Sequence, residues 1–385
     1  MERREAVIVA YGRSPVTKAY KGGFAHTHPV TYGAETLKGV LARVPQLDPM
    51  DIDDVIVGCA YPEDIQGWQM GRLIVQRAGL PKEVCAQTVT RFCSSGLQTI
   101  ATAANAIMAG EYEVAVAGGV ESMTRIKHMY LDEEYRDPEL VAMYPEAYMA
   151  PGYTAENVAK LYDISREEME EFAVRSHRLA AAAQAAGAFD DQIIPITVRT
   201  PEGGTVVVDR DEGIRPNTTM ESLAKLKPAF EGRVTAGTSS QMSDGAAFVV
   251  MMSREKADAL GLKPIARFVG FSVAGCESEL MGLGPIYAVP KLLKRLGMTL
   301  DEIDTIELNE AFAAQAIPCM RVLGMDESKV NPEGGALALG HPLGATGGFL
   351  TCKALSRLRR QGGRYALVTM CVGGGIGAAG VFEML

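Results

Sequence analysis

Ala6-Val7-Ile8-Val9-Ala10 is an unbroken apolar run that ends in the turn signal Gly12-Arg13-Ser14-Pro15. A short apolar run bounded in this way predicts a buried strand. Around Thr36–Val44 the apolar positions take helical spacing, and Ile52-Asp53-Asp54-Val55-Ile56-Val57-Gly58-Cys59 predicts a second strand. Gln87-Thr88-Val89 leads into Cys93-Ser94-Ser95-Gly96, after which the Ala-rich stretch Leu97 to Ala109 predicts a helix stopped by Gly110. Glu113–Ala117 predicts a further strand, ending in Gly118-Gly119. Strand, helix and strand in alternation predict parallel βαβ units in an α/β sandwich.

The plan recurs. Asp51-Ile52-Asp53-Asp54-Val55-Ile56 resembles Glu302-Ile303-Asp304-Thr305-Ile306-Glu307, and Gly110-Glu111-Tyr112-Glu113-Val114 resembles Gly363-Arg364-Tyr365-Ala366-Leu367 at nearly the same offset. Two matches at one offset, with the same element order between them, predict two related α/β halves. The expected division is an N-terminal half over 1–262 and a C-terminal half over 263–385. Between about Glu121 and Arg233 the pattern breaks into charged, Tyr/Met-rich segments and amphipathic helices, which predicts a lid-like lobe inserted into the first half. Ser165-Arg166-Glu167-Glu168 has the form of a capping box and marks the start of a helix over Ser165–Ala186. The strand Ala246–Met252 and helix Arg254–Leu260 then complete the first half.

A length of 385 residues exceeds what one hydrophobic core supports and fits two or three lobes. No stretch approaches the ~18 apolar residues of a membrane span. A formal net charge of −9 leaves no basic excess for a general nucleic-acid binder, although a small anion remains open to local fields and backbone amides. The N-terminal apolar run is too short for a secretory signal, the C-terminal FEML is not a peroxisomal address, and the seven scattered cysteines read as reduced thiols. Cytoplasm is the expected compartment. The cysteines lack C-x-x-C pairing, and no metal is expected.

Of the five histidines, His26, His28, His128 and His177 sit in polar or charged surroundings and read as solvated. His341 differs, lying in the glycine-rich, nearly uncharged stretch Gly334 to Gly347 ahead of a helix, where function is favoured over a satisfied loop histidine. Cys59, Cys85, Cys276, Cys319 and Cys352 read as small buried hydrophobes. Cys93 falls at a strand-to-helix turn, where free N–H groups and the helix dipole are expected to lower a thiol pKa. Cys371 ends the predicted strand Ala366–Met370 and opens Cys371-Val372-Gly373-Gly374-Gly375. Two thiols, one imidazole and Asn309-Glu310 therefore fall at the C-terminal ends of predicted parallel strands, the edge at which open α/β sheets bind ligands. No G-K-[ST] follows the triple glycine, so it is not a P-loop, and its use is backbone N–H groups facing a developing oxyanion. A cysteine nucleophile, a histidine base, a second cysteine and amide donors suit acyl transfer through a thioester.

Cys93-Ser94-Ser95-Gly96-Leu97, Asn309-Glu310-Ala311-Phe312-Ala313, Gly340-His341-Pro342 and Cys371-Val372-Gly373-Gly374-Gly375, in that order, resemble the motifs of the thiolase family. Gly118-Gly119-Val120-Glu121-Ser122-Met123 is similar as well, and the likeness runs through essentially the whole chain, the inserted lobe included. It implies a duplicated α-β-α-β-α fold and a ping-pong reaction on coenzyme A thioesters. Cys93, activated by His341, would attack the keto carbon of a 3-oxoacyl-CoA, and acetyl-CoA would leave as an enolate protonated by Cys371. A CoA thiol deprotonated by Cys371 would then take the acyl group. The resemblance further implies one oxyanion site made by His341 and an Asn309-held water, and another made by the N–H groups of Cys93 and Gly373.

By the same likeness coenzyme A is a substrate and no cofactor stays bound. Its expected contacts are Arg215 for phosphate or adenine, Ser222 for the nucleotide portion, Phe230 for the pantetheine and Ser240 for its amide. Met281 and Phe312 would line the acyl pocket or pack in the core. Pro151 stands where the family's Met-Gly-x-Thr-Ala-Glu segment has methionine, which bears on acyl-chain preference. Thr238-Ser239-Ser240-Gln241-Met242-Ser243 resembles the degradative branch, a 3-oxoacyl-CoA thiolase of fatty-acid β-oxidation. The alternatives are an acetoacetyl-CoA thiolase and a non-catalytic CoA-binding scaffold. Expected partners are CoA thioesters, a second or further copies in a homodimer or homotetramer, and other β-oxidation enzymes.

Overall fold

The computed structural model describes residues 4–127 and 132–385, so His128 lies outside the described residues. Among the described residues twelve strands form in chain order: β1 (Ala6–Arg13), β2 (Thr17–Lys18), β3 (Asp54–Gly58), β4 (Cys85–Val89), β5 (Val114–Ser122), β6 (Ile196–Arg199), β7 (Thr205–Val208), β8 (Ser243–Ser253), β9 (Ala266–Gly275), β10 (Thr305–Leu308), β11 (Tyr365–Val372) and β12 (Ile376–Met384). The main sheet runs β4-β3-β5-β8-β1-β9-β12-β11-β10, with β2 against β8. It is a mixed sheet. β3 pairs parallel with β5, and β5, β8 and β1 pair antiparallel in turn. On the other side β10 pairs parallel with β11, and β11, β12 and β9 pair antiparallel in turn. The same succession of pairings, read outward from the β1–β9 seam, is the structural form of the internal repeat.

Strand alternation builds the layers. Val55 and Val57 of β3, and Val114 and Val116 of β5, face an outer core shared with the helices Pro29–Leu41 and Met70–Ala78. Ile56, Ala115 and Ala117 point the other way, into a central core with Leu97 and Ile100 of the helix Ser95–Ala109 and Leu350 and Leu355 of the helix Leu343–Gln361. Val368 and Met370 of β11 enter that central core from the second half, while Leu367 faces a third core under the helices Gly284–Leu296 and Ala313–Leu323. Two central helices are thus sandwiched between two sheet halves, each covered outside by its own helices. The first outer helix begins at Pro29, earlier than the periodicity around Thr36 marks it, because His28 Nδ1 accepts from the Val30 amide and proline fits the first turn.

Glycine lets the central helices meet. A Cβ on Gly347 would lie 2.1 Å from the Leu97 amide nitrogen, so the N-terminal turns of the two helices touch backbone to backbone.

Between β5 and β8 the chain leaves the sheet. The helix Arg166–Ala185 starts at Ser165 with a complete capping box to Glu168. The segment is pinned to the sheet by a buried bidentate pair, Arg13 Nη1 and Nη2 donating to Asp211 at 2.7 and 2.8 Å, and by Arg13 Nε donating to Gln192 at 2.7 Å. The rings of Phe189 and Phe349 lie 5.5 and 5.1 Å from the Arg13 guanidinium carbon.

Candidate active site

The turn from β4 into the helix Ser95–Ala109 carries Cys93 in a single 3-10 turn. Phe92, just before it, has φ = 40°, the left-handed region that a bulky residue occupies only under constraint. The constraint is local: the Arg91 amide donates to Ser95 Oγ at 2.9 Å, Ser95 Oγ donates to the Phe92 carbonyl at 2.6 Å, and Ser94 Oγ donates to the Arg91 carbonyl at 3.1 Å. Ser94 and Ser95 therefore hold the bend that aims Cys93. Its thiol accepts from its own backbone N–H and from that of Gly373, in the turn between β11 and β12.

These amides do not make Cys93 acidic. Burial raises its pKa to about 11, and the two N–H groups offset only part of that rise. The sequence expectation of a lowered pKa is thus corrected: a buried thiol at a helix end is desolvated more than it is stabilised. Cys371 is also raised well above its ordinary value, by burial and then by neighbouring Cys93. It lies inside β11, which runs parallel to β10 on one side but forms an antiparallel hairpin with β12 on the other. The site edge is therefore not built from parallel strands alone. Gly374 and Gly375 take φ of 81° and 80° to make the hairpin turn, whereas Gly373 contributes its N–H.

His341 sits just before the second central helix. Its amide donates to the Gln241 carbonyl at 3.1 Å, so the stretch that leads back from the inserted segment into β8 runs beside it. Its ring lies between two side chains: Nδ1 is 2.6 Å from Thr346 Oγ1, and Nε2 is 3.3 Å from Asn309 Nδ2. Thr346 Oγ1 donates its single hydrogen to the Pro342 carbonyl, at 3.2 Å. With that hydrogen so placed, Nδ1 is assigned the ring proton, which leaves Nε2 with the lone pair and the Asn309 amide as its donor. Burial lowers the His341 pKa to about 3, so the ring is neutral at rest.

Asn309 follows β10, its amide donating to the Thr369 carbonyl of β11 at 2.9 Å. Asn331 braces this strand end: its Oδ1 accepts from the Leu308 amide at 2.9 Å, and its Nδ2 donates to the Leu308 carbonyl at 2.7 Å and to Glu310 at 2.8 Å. Asn309 Oδ1 is buried and has no protein partner among the described residues.

Glu121 ties three segments together. Its Oε2 accepts from the amides of Ala60 and Gly344, each at 2.7 Å, and its Oε1 from Gln66 Nε2 at 2.6 Å. The loop after β3, the end of β5 and the Pro342–Gly344 loop beside His341 thus share one fully buried carboxylate.

Of the expected CoA contacts, Arg215, Phe230, Ser240 and Phe312 line one cleft of about 550 Å³, together with Lys18 and Lys21. Met281 and Phe312 pack with Ala311 against Cys371. Ser222 lies outside the cleft lining, and its hydroxyl is engaged in a capping box with Thr219 at the helix Met220–Leu223. Pro151 takes the first position of the helix Pro151–Leu161, where a missing N–H costs nothing. The next residue, Gly152, leaves room for the Phe230 ring, which a Cβ there would meet at 1.8 Å.

Three further readings are corrected. His177 is buried, not solvated, because its Nδ1 accepts from the Arg215 amide at 3.1 Å, and its pKa falls to about 4 by burial and then by the nearby charges of Arg215 and Lys18. Cys85 is exposed because β4 is an edge strand, and Cys276 is only partly buried, at the end of β9. Cys59, Cys319 and Cys352 are buried. Thr346, Asn331 and the strained Phe92 went unrecognised. The two serines that follow Cys93 were the one available signal for that bend.

Residues 6–255 match the family model described as "Thiolase, N-terminal domain" and residues 262–384 match "Thiolase, C-terminal domain". The chain is similar to the 3-ketoacyl-CoA thiolase of Bacillus subtilis (strain 168), 51% identical over 393 residues that cover 99% of this chain and 100% of that one. It is 45% identical to the 3-ketoacyl-CoA thiolase of Marinomonas sp. (strain MWYL1), over 98% of each chain. In structure it is similar to the Bacillus anthracis acetyl-CoA acetyltransferase, with TM-score 0.92, 39% identity, and coverage of 100% of this chain and 99% of the other.

Proposed function

The chain belongs to the thiolase family, and on that premise we propose how its buried site handles a 3-oxoacyl-CoA. The protein is an acyltransferase that cleaves 3-oxoacyl-CoA thiolytically to acetyl-CoA and a shortened acyl-CoA, with coenzyme A as substrate.

The observation that carries the mechanism is the His341 tautomer, with Nδ1–H on Thr346 and the Nε2 lone pair held at rest by the Asn309 amide. His341 Nε2 takes the Cys93 proton as the sulfur attacks the 3-keto carbon. With a thiol near 11 and an imidazole near 3, a resting ion pair is unfavourable, so proton removal accompanies attack. The amides of Cys93 and Gly373 then stabilise the tetrahedral oxyanion. Collapse breaks the Cα–Cβ bond and leaves an acyl-Cys93 thioester. The departing enolate of acetyl-CoA keeps its oxygen near His341 and a water held by Asn309 Oδ1, and Cys371 protonates its carbon. In the second half-reaction Cys371 removes the proton of an incoming CoA thiol, which takes the acyl group and frees Cys93.

We assign Arg215, Phe230 and Ser240 to coenzyme A and Met281 and Phe312 to the wall of the acyl site; the shared cleft supports this for all but Met281, which packs beside Cys371. The two halves are taken as 1–262, with the lobe inserted at about 121–233, and 263–385. The physiological role we propose is fatty-acid β-oxidation in the cytoplasm, by a homodimer or homotetramer that works beside other enzymes of that route. An exposed edge strand β4, with Trp68 92% exposed nearby in sequence, supports self-association. Among the described residues no helix is long and apolar enough to cross a membrane.

The likeness to an acetyl-CoA acetyltransferase supports a second reading, an acetoacetyl-CoA thiolase. CoA-dependent loss of thioester absorbance with 3-oxoacyl-CoA substrates from about four to sixteen carbons separates the two. Activity that holds or rises with chain length supports the β-oxidation role, and activity confined to the four-carbon substrate moves the assignment to the second reading.

A further inference from the structure

The cleft that holds Arg215, Phe230, Ser240 and Phe312 has a second wall from the other end of the chain. Lys18 closes β2, and the turn that follows it carries Tyr20 and Lys21 to the same cleft. Backbone bonds build that turn: the Gly22 amide donates to the Lys18 carbonyl at 2.8 Å, and the Tyr20 amide to Thr124 Oγ1 at 2.8 Å. The acidic group nearest by hydrogen bonding, Glu212, accepts from the amides of Lys18 and Gly23, at 3.2 and 2.9 Å. It fixes the turn and forms no ion pair with the Lys18 ammonium. Among the described residues, none of Lys18, Lys21 and Arg215 takes part in an ion pair. Three unmatched cations around one cleft stand out in a chain of net charge −9.

The inner end of the cleft has a different character. Phe312 lines it and also packs against Cys371, and the Ser240 amide donates to the Ala311 carbonyl at 2.9 Å. The cleft therefore joins three cations to an apolar side chain, Phe312, that packs against the second thiol. A ligand that fits both ends carries phosphate at one end and a reactive thiol or thioester at the other.

We infer that Lys18 and Lys21, with Arg215 opposite, form an anion site for the phosphates of the acyl carrier, so that the enzyme selects coenzyme A over carriers that share only its pantetheine arm. This inference rests on the proposed CoA-thioester reading. Arg215 comes from the inserted segment and the lysines from the N-terminal turn, so the phosphates would bridge the two.

Calorimetric titration of the full chain with CoA, dephospho-CoA and pantetheine tests it without relying on turnover. The double variant Lys18→Ala/Lys21→Ala is expected to bind CoA on the order of tenfold more weakly, the scale for two partly exposed ion pairs, and pantetheine less than twofold more weakly. Added salt should weaken CoA binding in the parent and less so in the variant. If dephospho-CoA loses as much affinity as CoA, the lysines hold the diphosphate; if it loses little, they hold the 3′-phosphate. Lys263→Ala/Lys294→Ala, an equal charge change on two exposed residues outside the cleft lining, should leave all three affinities unmoved. Unchanged CoA affinity in the double variant, or an equal loss for CoA and pantetheine, overturns the inference. Thiolysis measured on the same preparations reports separately on the catalytic reading: CoA selectivity lost in the variant, with no thiolysis in the parent, would sink that reading alone.

Discussion

Thr346 Oγ1 lies 2.6 Å from His341 Nδ1 and gives its own hydrogen to the Pro342 carbonyl. A threonine five residues beyond the histidine therefore sets which ring nitrogen holds the proton, and the Nε2 lone pair faces the Asn309 amide. Thr346 is a positioning residue. Thr346→Val keeps the shape and removes the acceptor, and should lower kcat by roughly tenfold to a hundredfold with the melting temperature little changed. Thr346→Ser should recover most of the loss. Equal activity in Thr346→Val and the parent would mean that the tautomer is set elsewhere.

Asn309 touches the same ring from the other side, and its Oδ1 has no protein partner. Asn309→Ala should lower turnover by about 10²–10³, the usual cost of one oxyanion donor, with the circular dichroism spectrum intact. Near-normal turnover in a folded variant removes Asn309 from the mechanism.

The resting protonation states give a pH signature. A thiol with pKa raised to about 11 is protonated below that pH, so its thiolate fraction grows tenfold per pH unit across the neutral range. Alkylation of Cys93 in the free enzyme, followed by peptide mass spectrometry, should climb with unit logarithmic slope from pH 7 to 10. A plateau already reached at neutral pH would reveal a thiolate–imidazolium pair instead. Stability follows the opposite limb. The folded pKa of His341, about 3, lies below the ordinary 6.5, so the unfolded chain binds the extra proton and stability is lost as pH falls from about 6.5 towards 3.

Two glycines near the site should respond in contrary ways. A Cβ on Gly347 would meet the Leu97 amide at 2.1 Å, whereas one on Gly373 finds its nearest neighbour, Phe92, at 3.6 Å. Gly347→Ala should destabilise by about 1–3 kcal/mol or more, as overpacking does, and should disturb the approach of the helices that follow Cys93 and His341. Gly373→Ala keeps the N–H and should retain most activity. The comparison is read from thermal melts and kcat on the same preparations.

Much of this was legible in the sequence because the chemistry comes in short local motifs. Cys93, Asn309, His341 and Cys371 each sit in a distinctive run of neighbours, and the strands announce themselves by apolar runs such as Val55-Ile56-Val57. The order of the halves was readable from the Ile52/Ile303 and Tyr112/Tyr365 repeats. What was not legible depends on contacts distant in sequence or on desolvation. Nothing local says that Asn331 braces β10, that Lys18 meets Arg215 across a cleft, or that His177 is covered. The sign of the Cys93 shift was misread for the same reason: a helix end is visible in sequence, and burial is not. Thr346 carries no local mark of its role, because its partners are the His341 ring five residues back and the Pro342 carbonyl four back.

In the proposed mechanism Cys93 carries the acyl group between the two half-reactions. It is tested most directly by mixing enzyme with a 3-oxoacyl-CoA in the absence of free CoA, quenching in acid and mapping the peptides by mass spectrometry. The shortened acyl group is expected on the peptide containing Cys93, released when CoA is added before the quench and absent in Cys93→Ala. Acylation at another residue, or product formation in Cys93→Ala, would contradict the mechanism.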